Sequence, residues 1–402
     1  MPHTSSALLA HLDDALRRHK DTLIDLRRDL HAHPELSWAE ERTTTTVVDV
    51  LSQAGLRVRR LPKTGLVAEV GPEEGPVVAL RADLDALPVD DTTSDSWKSR
   101  TPGVAHACGH DVHTAALVGA GLALASAASD QRVRLIFQPA EEVMPGGALD
   151  AIEDGVLEDT VSIFGLHCDP GLDVGVIGLR EGPLTGAADS IQVVISGVGG
   201  HTSRPHLTQD LTFALGKLIT ELPAVLSRRL DPRAGVSLVW GQVQAGSAHN
   251  IIPSTGRAAG TIRMLDAVAW VDAEPLIRES IDQLLAPYGV ESHVRYVRGV
   301  PPVVNEHRAT AHLGAVVDQM LGEDQRVPIA QSLGGEDFAW YLESVPGAMA
   351  RLGTRTPGGP TFDLHQGNLR IDERALSIGA RLLARAAVCV PDEPHGTAGL
   401  TG

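Results

Sequence analysis

The first thirty positions carry leucines at spacings of three, four and seven residues. Such spacing puts the leucines on one face of a helix, so we predict an amphipathic helix over residues 6–30 that ends before Pro34. A second helix is predicted over 39–54. The apolar residues of 56–70 and 77–87 alternate or cluster as they do in strands. The N-terminal part of the chain is therefore predicted to combine helices with a sheet.

Helical and strand-like stretches continue to alternate up to His167. A helix of small residues is predicted over 114–128, a strand from Arg132, a helix over 148–154 and a strand over 162–167. Alternation of this kind is typical of α/β domains. We predict an α/β fold on a mixed sheet for this part of the chain.

The order of elements changes after residue 187. The pattern predicts strand, helix, strand, strand, helix and strand up to residue 299, which is the order of a ferredoxin-like unit. Beyond it α/β character returns, with a final helix over 372–388 and a frayed tail from Pro391. We therefore predict one domain formed by residues 1–187 and 300–402, with residues 188–299 inserted as a second domain.

Composition limits the partners. A chain of 402 residues with a net charge of −17 has a poor electrostatic footprint for nucleic acid or an anionic membrane. The longest run of small apolar residues is too short to span a bilayer, and the N-terminus lacks the apolar core of a signal peptide. Three cysteines cannot form a disulfide framework, which indicates a reducing compartment. We predict a cytoplasmic protein with no membrane or nucleic-acid partner.

The densest group of reactive side chains extends from His106 to His113, with the sequence HACGHDVH. If this stretch is extended, Cys108 and His110 point to the same side. A thiolate and an imidazole that converge in this way suit zinc or another soft to borderline metal. The alternative is a polar turn with a chance cluster of histidines.

Two pairs of carboxylates follow predicted strands. Asp83 and Asp85 lie at the carboxyl end of one strand, where α/β sheets place ligands. The strand from Arg132 delivers Glu141 and Glu142, of which one can bind a metal ion while the other takes a proton from water. A polar strand exit and a solvated acidic turn are the respective alternatives.

Isolated histidines are less informative. His31 and His33, at the end of the first helix, are either ligands or capping residues. His167 ends a predicted strand and is followed by Cys168, which is either a ligand or a small buried packing residue. His365, before the last helix, would be a surface residue if it were taken alone.

Together these motifs resemble the aminoacylase-like amidohydrolases of metallopeptidase family twenty, in the branch of hippurate hydrolases, N-acyl-amino-acid amidohydrolases and indole-acetyl-amino-acid hydrolases. The resemblance extends from residues 27–36 to Asp372 and Glu373 and so covers nearly the whole chain. Its specific parts are HACGHD at 106–111, QPAEE at 138–142, GLH at 165–167, GGH at 199–201 and EDF at 336–338.

The resemblance implies a site for two divalent metal ions, with zinc expected first and manganese or cobalt as alternatives. Cys108 would bridge the ions at a position held by aspartate in the wider family, and Glu141 would be the general base. Asp85 would orient a metal-binding group, although Asp83 stands where the wider family has a histidine. The implied ligands are Cys108, His110, Glu142, His167 and His365.

For the inserted domain, the resemblance implies contacts from His201, Asn250 and Arg263 to the oxyanion or the substrate carboxylate of a neighbouring active site. This arrangement implies a homodimer formed through the inserted domains, which would act as lid and dimerisation domain. The predicted reaction is metal-dependent hydrolysis of the amide bond of N-acyl amino acids, with a metal-activated water and Glu141 as base.

Four alternatives remain at this point. A dipeptidase or an N-acetyl-diamino-acid deacetylase would use the same site. A cysteine hydrolase would use Cys108 as nucleophile and His110 or His113 as base, and it would resist chelators. A metal-stabilised binding protein would show no turnover with any metal.

Overall fold

The structure is a computed structural model that describes residues 5–389. The tail predicted to fray from Pro391 lies outside the described residues. The helices are α1 (Ser6–Ala32), α2 (Glu41–Gln53), α3 (His110–Ala127), α4 (Ala148–Glu153), α5 (Leu211–Arg229), α6 (Ala267–Leu285), α7 (His307–Leu321), α8 (Ala339–Leu342) and α9 (Arg374–Val388).

The strands follow the same chain order. They are β1 (Arg57–Arg60), β2 (Leu66–Val70), β3 (Val77–Asp83), β4 (Arg132–Gln138), β5 (Thr160–Asp173), β6 (Ile177–Leu179), β7 (Gly182–Pro183), β8 (Ala187–Ser196), β9 (Gly200–His201), β10 (Ser237–Ala245), β11 (Ile251–Ile252), β12 (Thr255–Met264), β13 (Glu291–Val300), β14 (Val304–Asn305), β15 (Arg326–Pro328) and β16 (Gly347–Arg355).

The described chain divides into two compact units. The first runs to Gly182 and returns over Val304–Ala330 and again from Trp340. The second comprises Pro183–Val303 and Gln331–Ala339. The second unit is therefore an insertion, to which a short later segment of the chain also belongs.

The first unit is built on a mixed eight-stranded sheet in the order β1-β2-β4-β3-β5-β16-β6-β15. The four central strands β4, β3, β5 and β16 run parallel, and β2 and β6 flank them in the antiparallel sense. This arrangement confirms the predicted mixed-sheet α/β fold. Strand β3 is buried along its whole length, as a central parallel strand covered on both faces should be. Asp85 and the pair Glu141 and Glu142 follow the carboxyl ends of the parallel strands β3 and β4, where α/β sheets place ligands.

Three helices of the first unit, α1, α3 and α9, pack against one another. The regularly spaced leucines of α1 are buried, which confirms the predicted amphipathic helix; they are Leu9, Leu12, Leu16, Leu23, Leu26 and Leu30. After its mostly polar first residues, 110–114, helix α3 is apolar on all sides, and its side chains are buried from His110 to Leu124, as expected of an enclosed helix. None of the helices within residues 5–389 combines the length and apolar character that a membrane span requires.

The second unit contains a four-stranded antiparallel sheet in the order β10-β12-β8-β13. Along the chain α5 lies between β8 and β10, and α6 lies between β12 and β13. A buried carboxylate ties these elements together, because Asp189 on β8 accepts hydrogen bonds from Nε1 of Trp270 at 2.9 Å and from the N–H of Gly299 at 2.8 Å.

Candidate metal centre

Cys108 and His110 are brought together by a left-handed glycine and the start of a helix. Gly109 has a φ of +87°, and α3 begins at His110 rather than at the predicted residue 114. The expectation of an extended stretch is therefore wrong: the side chains converge because the backbone turns at Gly109. A Cβ at Gly109 would lie 2.9 Å from Sγ of Cys168, so both conformation and packing favour glycine there.

The ring of His110 is held through one nitrogen. Its Nδ1 donates to the main-chain carbonyl of Asp85 at 3.0 Å and lies 3.3 Å from the carboxylate of the same residue. Its Nε2 is buried without a hydrogen-bond partner among the described residues. Although burial opposes a charge on this ring, Asp83 and Asp85 raise the pKa of His110 to about 10. The carboxylates around His110 therefore favour a positive charge on or next to its ring.

His167 enters the site from the middle of the sheet. Its strand, β5, continues to Asp173 because β16 pairs with it beyond His167, so the predicted strand end at residue 167 is wrong. Nδ1 of His167 donates to the carbonyl of Cys168 at 2.8 Å, and Nε2 lies 3.5 Å from Sγ of Cys108. Burial lowers the pKa of His167, which keeps the ring in the neutral form that binds metal ions.

His365 reaches the site from a loop that lies far along the chain. Its backbone is left-handed, with a φ of +62°, and its N–H donates to the carbonyl of Ala107 at 2.7 Å. The preceding Leu364 packs against the small apolar cluster that contains Cys108. Nε2 of His365 lies 3.4 Å from Oε1 of Glu142, and the ring is 55% exposed. Tertiary contacts thus bring a partly exposed histidine into the site.

Glu141 and Glu142 follow β4 in a turn that contains a left-handed alanine. Ala140 has a φ of +54°, and the N–H of Glu142 donates to Oδ2 of Asp85 at 2.9 Å. Oε1 of Glu142 is buried, makes no hydrogen bond within residues 5–389, and lies 3.7 Å from Nε2 of His110. Burial raises the pKa of Glu142, although the neighbouring histidines oppose this shift.

Two overlapping groups of donor atoms fit metal ions. Each has its ligand atoms within 4.8 Å of one another, and Cys108 belongs to both, as expected of a ligand shared by two ions. Buried polar atoms without partners are costly unless something binds them, and such atoms occur on His110 and Glu142 in the described chain. The residues therefore fit two divalent ions. The groups are Cys108, His110 and His167, and Cys108, Glu142 and His365.

A further buried group, formed by Asp83, His110 and His113, is occupied by its own hydrogen bonds. Nδ1 of His113 donates to Oδ1 of Asp83 at 2.6 Å, and Nε2 of His113 accepts the N–H of Cys168 at 2.8 Å. Arg81 is paired with Asp83 at 2.6 Å. Sequence reasoning missed this supporting role of His113. The available signal was its spacing of three from His110, which places both rings on one side of a helix.

The surroundings of Cys108 disfavour the cysteine-hydrolase alternative. Burial and the carboxylates of Glu142 and Glu141 raise the pKa of its thiol, whereas a nucleophilic cysteine needs a lowered pKa. His113 is not available as a base, because both of its ring nitrogens are engaged with Asp83 and a main-chain N–H.

The two histidines at the end of α1 have different surroundings. Nδ1 of His33 donates to the carbonyl of Asp29 at 2.9 Å. His33 therefore acts as a residue that caps the end of α1, the second of its two expected roles. His31 is buried and lies 2.8 Å from the carboxylate of Asp111 and 3.3 Å from that of Asp91. Across residues 5–389 neither histidine belongs to a group of potential metal donors. His31 therefore ties α1 to the first turn of α3.

Three predicted substrate contacts lie in the second unit. His201 on β9 pairs with Ile251 on β11, which places it beside Asn250. Arg263 lies on β12, in the four-stranded sheet, and its Nη1 donates to the carbonyl of Leu333 at 3.4 Å. The structure thus brings His201 and Asn250 together, while Arg263 belongs to a different sheet of the same unit.

A mixed α/β sheet that brings a cysteine, histidines and paired carboxylates close together has the donor groups that a metal-dependent hydrolase needs. The comparisons with known proteins give the family. The sequence profile of Peptidase family M20/M25/M40 matches residues 79–388. The N-acetylcysteine deacetylase of Bacillus subtilis is 37% identical, over 92% of this chain and 96% of that protein. The chain belongs to this peptidase family and is a metal-dependent hydrolase that acts on amide bonds.

The chain is also similar to a solved structure and to a longer relative. A Bacillus subtilis protein described as a dinuclear metal binding peptidase of this family matches with a TM-score of 0.80 and 35% identity, over 93% of this chain and 98% of that one. A Rhodococcus jostii protein named as a glutamate–cysteine ligase is 51% identical over 90% of this chain. This chain spans 46% of that relative, so the ligase name describes a longer protein. The dinuclear neighbour and the donor groups together support two divalent ions here.

Proposed function

We propose that this chain hydrolyses the amide bond of N-acyl amino acids. The observation that carries the proposal is the position of Glu141, which precedes the candidate ligand Glu142 and has a carboxylate oxygen within 4.8 Å of donor atoms on Glu142 and His110. Metal-assisted hydrolysis needs one group that binds the ion and a neighbour that takes a proton. A relative named N-acetylcysteine deacetylase supports an N-acyl amino acid as the substrate class.

Each candidate site residue of the first unit has a defined role in this proposal. Two divalent ions, zinc by preference, would be held by Cys108, His110, Glu142, His167 and His365, and would polarise the carbonyl and acidify a water molecule. Glu141 takes a proton from the attacking water on its carboxylate and returns it to the departing amine nitrogen. Asp85 fixes the directions of His110 and Glu142 through hydrogen bonds to both.

The second unit is proposed as a ferredoxin-like lid and dimerisation domain that recognises the substrate of a neighbouring active site. His201, which is exposed, donates a hydrogen bond to the oxyanion that forms at the carbonyl. Asn250 contacts the substrate beside it, and Arg263 binds the free carboxylate of the amino acid. The guanidinium favours substrates that carry this negative charge.

Replacing Arg263 with alanine should raise KM for N-acyl amino acids by about 10- to 150-fold, because a charged hydrogen-bonded contact contributes about 1.5–3 kcal/mol. Steady-state kinetics would compare each acid with its carboxamide, which lacks the charge and should be insensitive to the change. Arg233→Ala is the control, because this exposed arginine of the same unit pairs with the neighbouring Asp231. Equal losses for acid and carboxamide would argue against a carboxylate contact.

We propose that two chains form a homodimer through the second unit. Strand β10 lies at one edge of the four-stranded sheet and carries neither lysine nor proline, the residues that commonly protect such edges. Val239 and Val243 on this strand are 60% and 50% exposed. In sedimentation velocity, Val243→Lys should convert dimer to monomer, whereas Val268→Lys on the exposed face of α6 should not. A monomeric unaltered protein would contradict the proposal.

The reaction itself is tested by amine release from a panel of substrates. The panel contains N-acetyl, N-benzoyl and long-chain N-acyl amino acids, with dipeptides and N-acetyl-diamino acids for the two alternatives that use the same site. Chelator-treated protein would be assayed alone and with added zinc, manganese or cobalt. We expect no turnover without metal and restored turnover of an N-acyl amino acid with it.

The other outcomes each favour a different function. A preference for dipeptides or N-acetyl-diamino acids would replace the substrate class but keep the chemistry. Full activity after chelation would favour Cys108 as a nucleophile. No activity with any metal would favour a binding protein on the same fold.

A further inference from the structure

Glu40 is a fully buried carboxylate for which the proposed reaction has no use. It is 0% exposed and immediately precedes α2 in the first unit. Its Oε1 accepts the N–H of Ala140 at 2.8 Å, and its Oε2 accepts the hydroxyl of Thr64 at 2.6 Å. A carboxylate is costly to bury unless it is hydrogen-bonded, and these two hydrogen bonds offset that cost. We therefore ask what the two contacts hold in place.

The turn that Glu40 contacts has an unfavourable local conformation. Ala140 has a φ of +54°, a left-handed conformation that alanine rarely adopts and that neighbouring contacts must hold in place. The carbonyl of Ala140 accepts the N–H of Gly147 at 2.9 Å. A Cβ at Gly147 would lie 2.0 Å from the carbonyl oxygen of Pro139, so the two ends of the loop approach too closely for any side chain.

Two carboxylates hold this turn on either side of Glu141. Glu40 accepts the N–H of Ala140, and Asp85 accepts the N–H of Glu142 at 2.9 Å. The Asp85 contact fixes the residue proposed as a metal ligand. The Glu40 contact fixes the residue before Glu141 and so sets the direction from which the base leaves the main chain.

We propose that Glu40 is a positioning residue for Glu141: it holds the left-handed Ala140 so that the base faces the water it must deprotonate. This inference rests on the proposed function. Thr64 orients the Glu40 carboxylate from the other side. The length of the Glu40 side chain matters more for this role than its negative charge. A side chain of this length is needed to bring one acceptor oxygen to the N–H of Ala140.

The test separates reach from charge with two variants at Glu40. Glu40→Gln keeps the length and an oxygen acceptor, and it should retain most of kcat. Glu40→Asp keeps the charge but withdraws the carboxylate by about 1.5 Å, and it should lower kcat by about 10- to 100-fold with little change in KM. Metal content should stay at two ions per chain in both, because the ligand Glu142 is still held by Asp85.

Glu35→Ala is the matched control for a purely structural role. Glu35 also accepts two main-chain N–H groups, from Arg42 at 3.0 Å and Thr43 at 2.8 Å, but these belong to α2 and not to the catalytic turn. Its loss should lower the thermal unfolding midpoint and leave kcat of the metal-loaded protein unchanged.

The outcomes distinguish this inference from the proposed function. If Glu40→Asp is as active as the unaltered protein, or if Glu40→Gln is the less active of the two, the positioning role is wrong. A parallel assay of Glu141→Gln decides the base assignment. If that variant turns over normally, the proposed mechanism fails and the role of Glu40 fails with it. If that variant is inactive, the base assignment holds, and the Glu40 variants then test the positioning role alone.

Discussion

The Glu141→Gln variant is expected to lose about 10²- to 10⁴-fold in kcat while it keeps both metal ions. Glutamine has the size of glutamate but cannot take up the proton that the attacking water must lose. The candidate ligands His110 and Glu142 remain unchanged beside it. Amine release would give kcat, and elemental analysis of the same sample would give the metal content.

Glu142→Gln is the matched comparison, because it changes the next carboxylate of the same turn. Oε1 of Glu142 lies 3.7 Å from Nε2 of His110 and 3.4 Å from Nε2 of His365, so its replacement should reduce metal content as well as turnover. Normal turnover in Glu141→Gln would refute the base assignment. A loss of metal from Glu141→Gln would instead identify Glu141 as a ligand.

Aspartate is expected to replace Cys108 better than alanine does. Cys108 belongs to both donor groups, so Cys108→Ala should weaken metal binding by more than the 10- to 100-fold typical of residues that only support ligands. Cys108→Asp keeps an anionic donor at the shared position, and it should keep both ions and measurable turnover. A competition assay with a chelating indicator would give the metal affinity, and kcat would be measured at saturating metal.

Cys168→Ala is the control for this series. Cys168 is also buried, but its Sγ lies 3.8 Å from the carbonyl oxygen of Gly109 and belongs to no donor group among residues 5–389. Its replacement should leave metal affinity unchanged. If Cys108→Asp bound two ions but showed no turnover, a role for the thiol in the chemistry itself would return.

The hydrophobic period was sufficient to predict most elements of the first unit. The leucine spacing predicted a helix over 6–30, and the structure has α1 over Ser6–Ala32. The predictions failed at two element ends that matter for the site. Helix α3 starts early, directly after the turn at Gly109, where Sγ of Cys168 leaves no room for a side chain, and β5 runs past His167 because β16 pairs with it. Neither contact is encoded in the local pattern.

The candidate donors were predictable as a set, because their residue types and order along the chain match a family pattern. The structure brings all five together in two overlapping groups. Supporting residues were harder to find. Glu40 has no local signal that it reaches Ala140, and His113 has the same residue type and nearly the same neighbours as the candidate ligands.

The sequence by itself determined the types of the elements and the chemical identity of the metal donors, since periodicity and side-chain chemistry are local properties. Only the tertiary structure decided which nitrogen of His110 is left without a partner, how His365 arrives beside Glu142, and which buried carboxylate holds the catalytic turn. These features depend on contacts between residues far apart in the chain. Packing selects such contacts, and no window of neighbouring residues contains them.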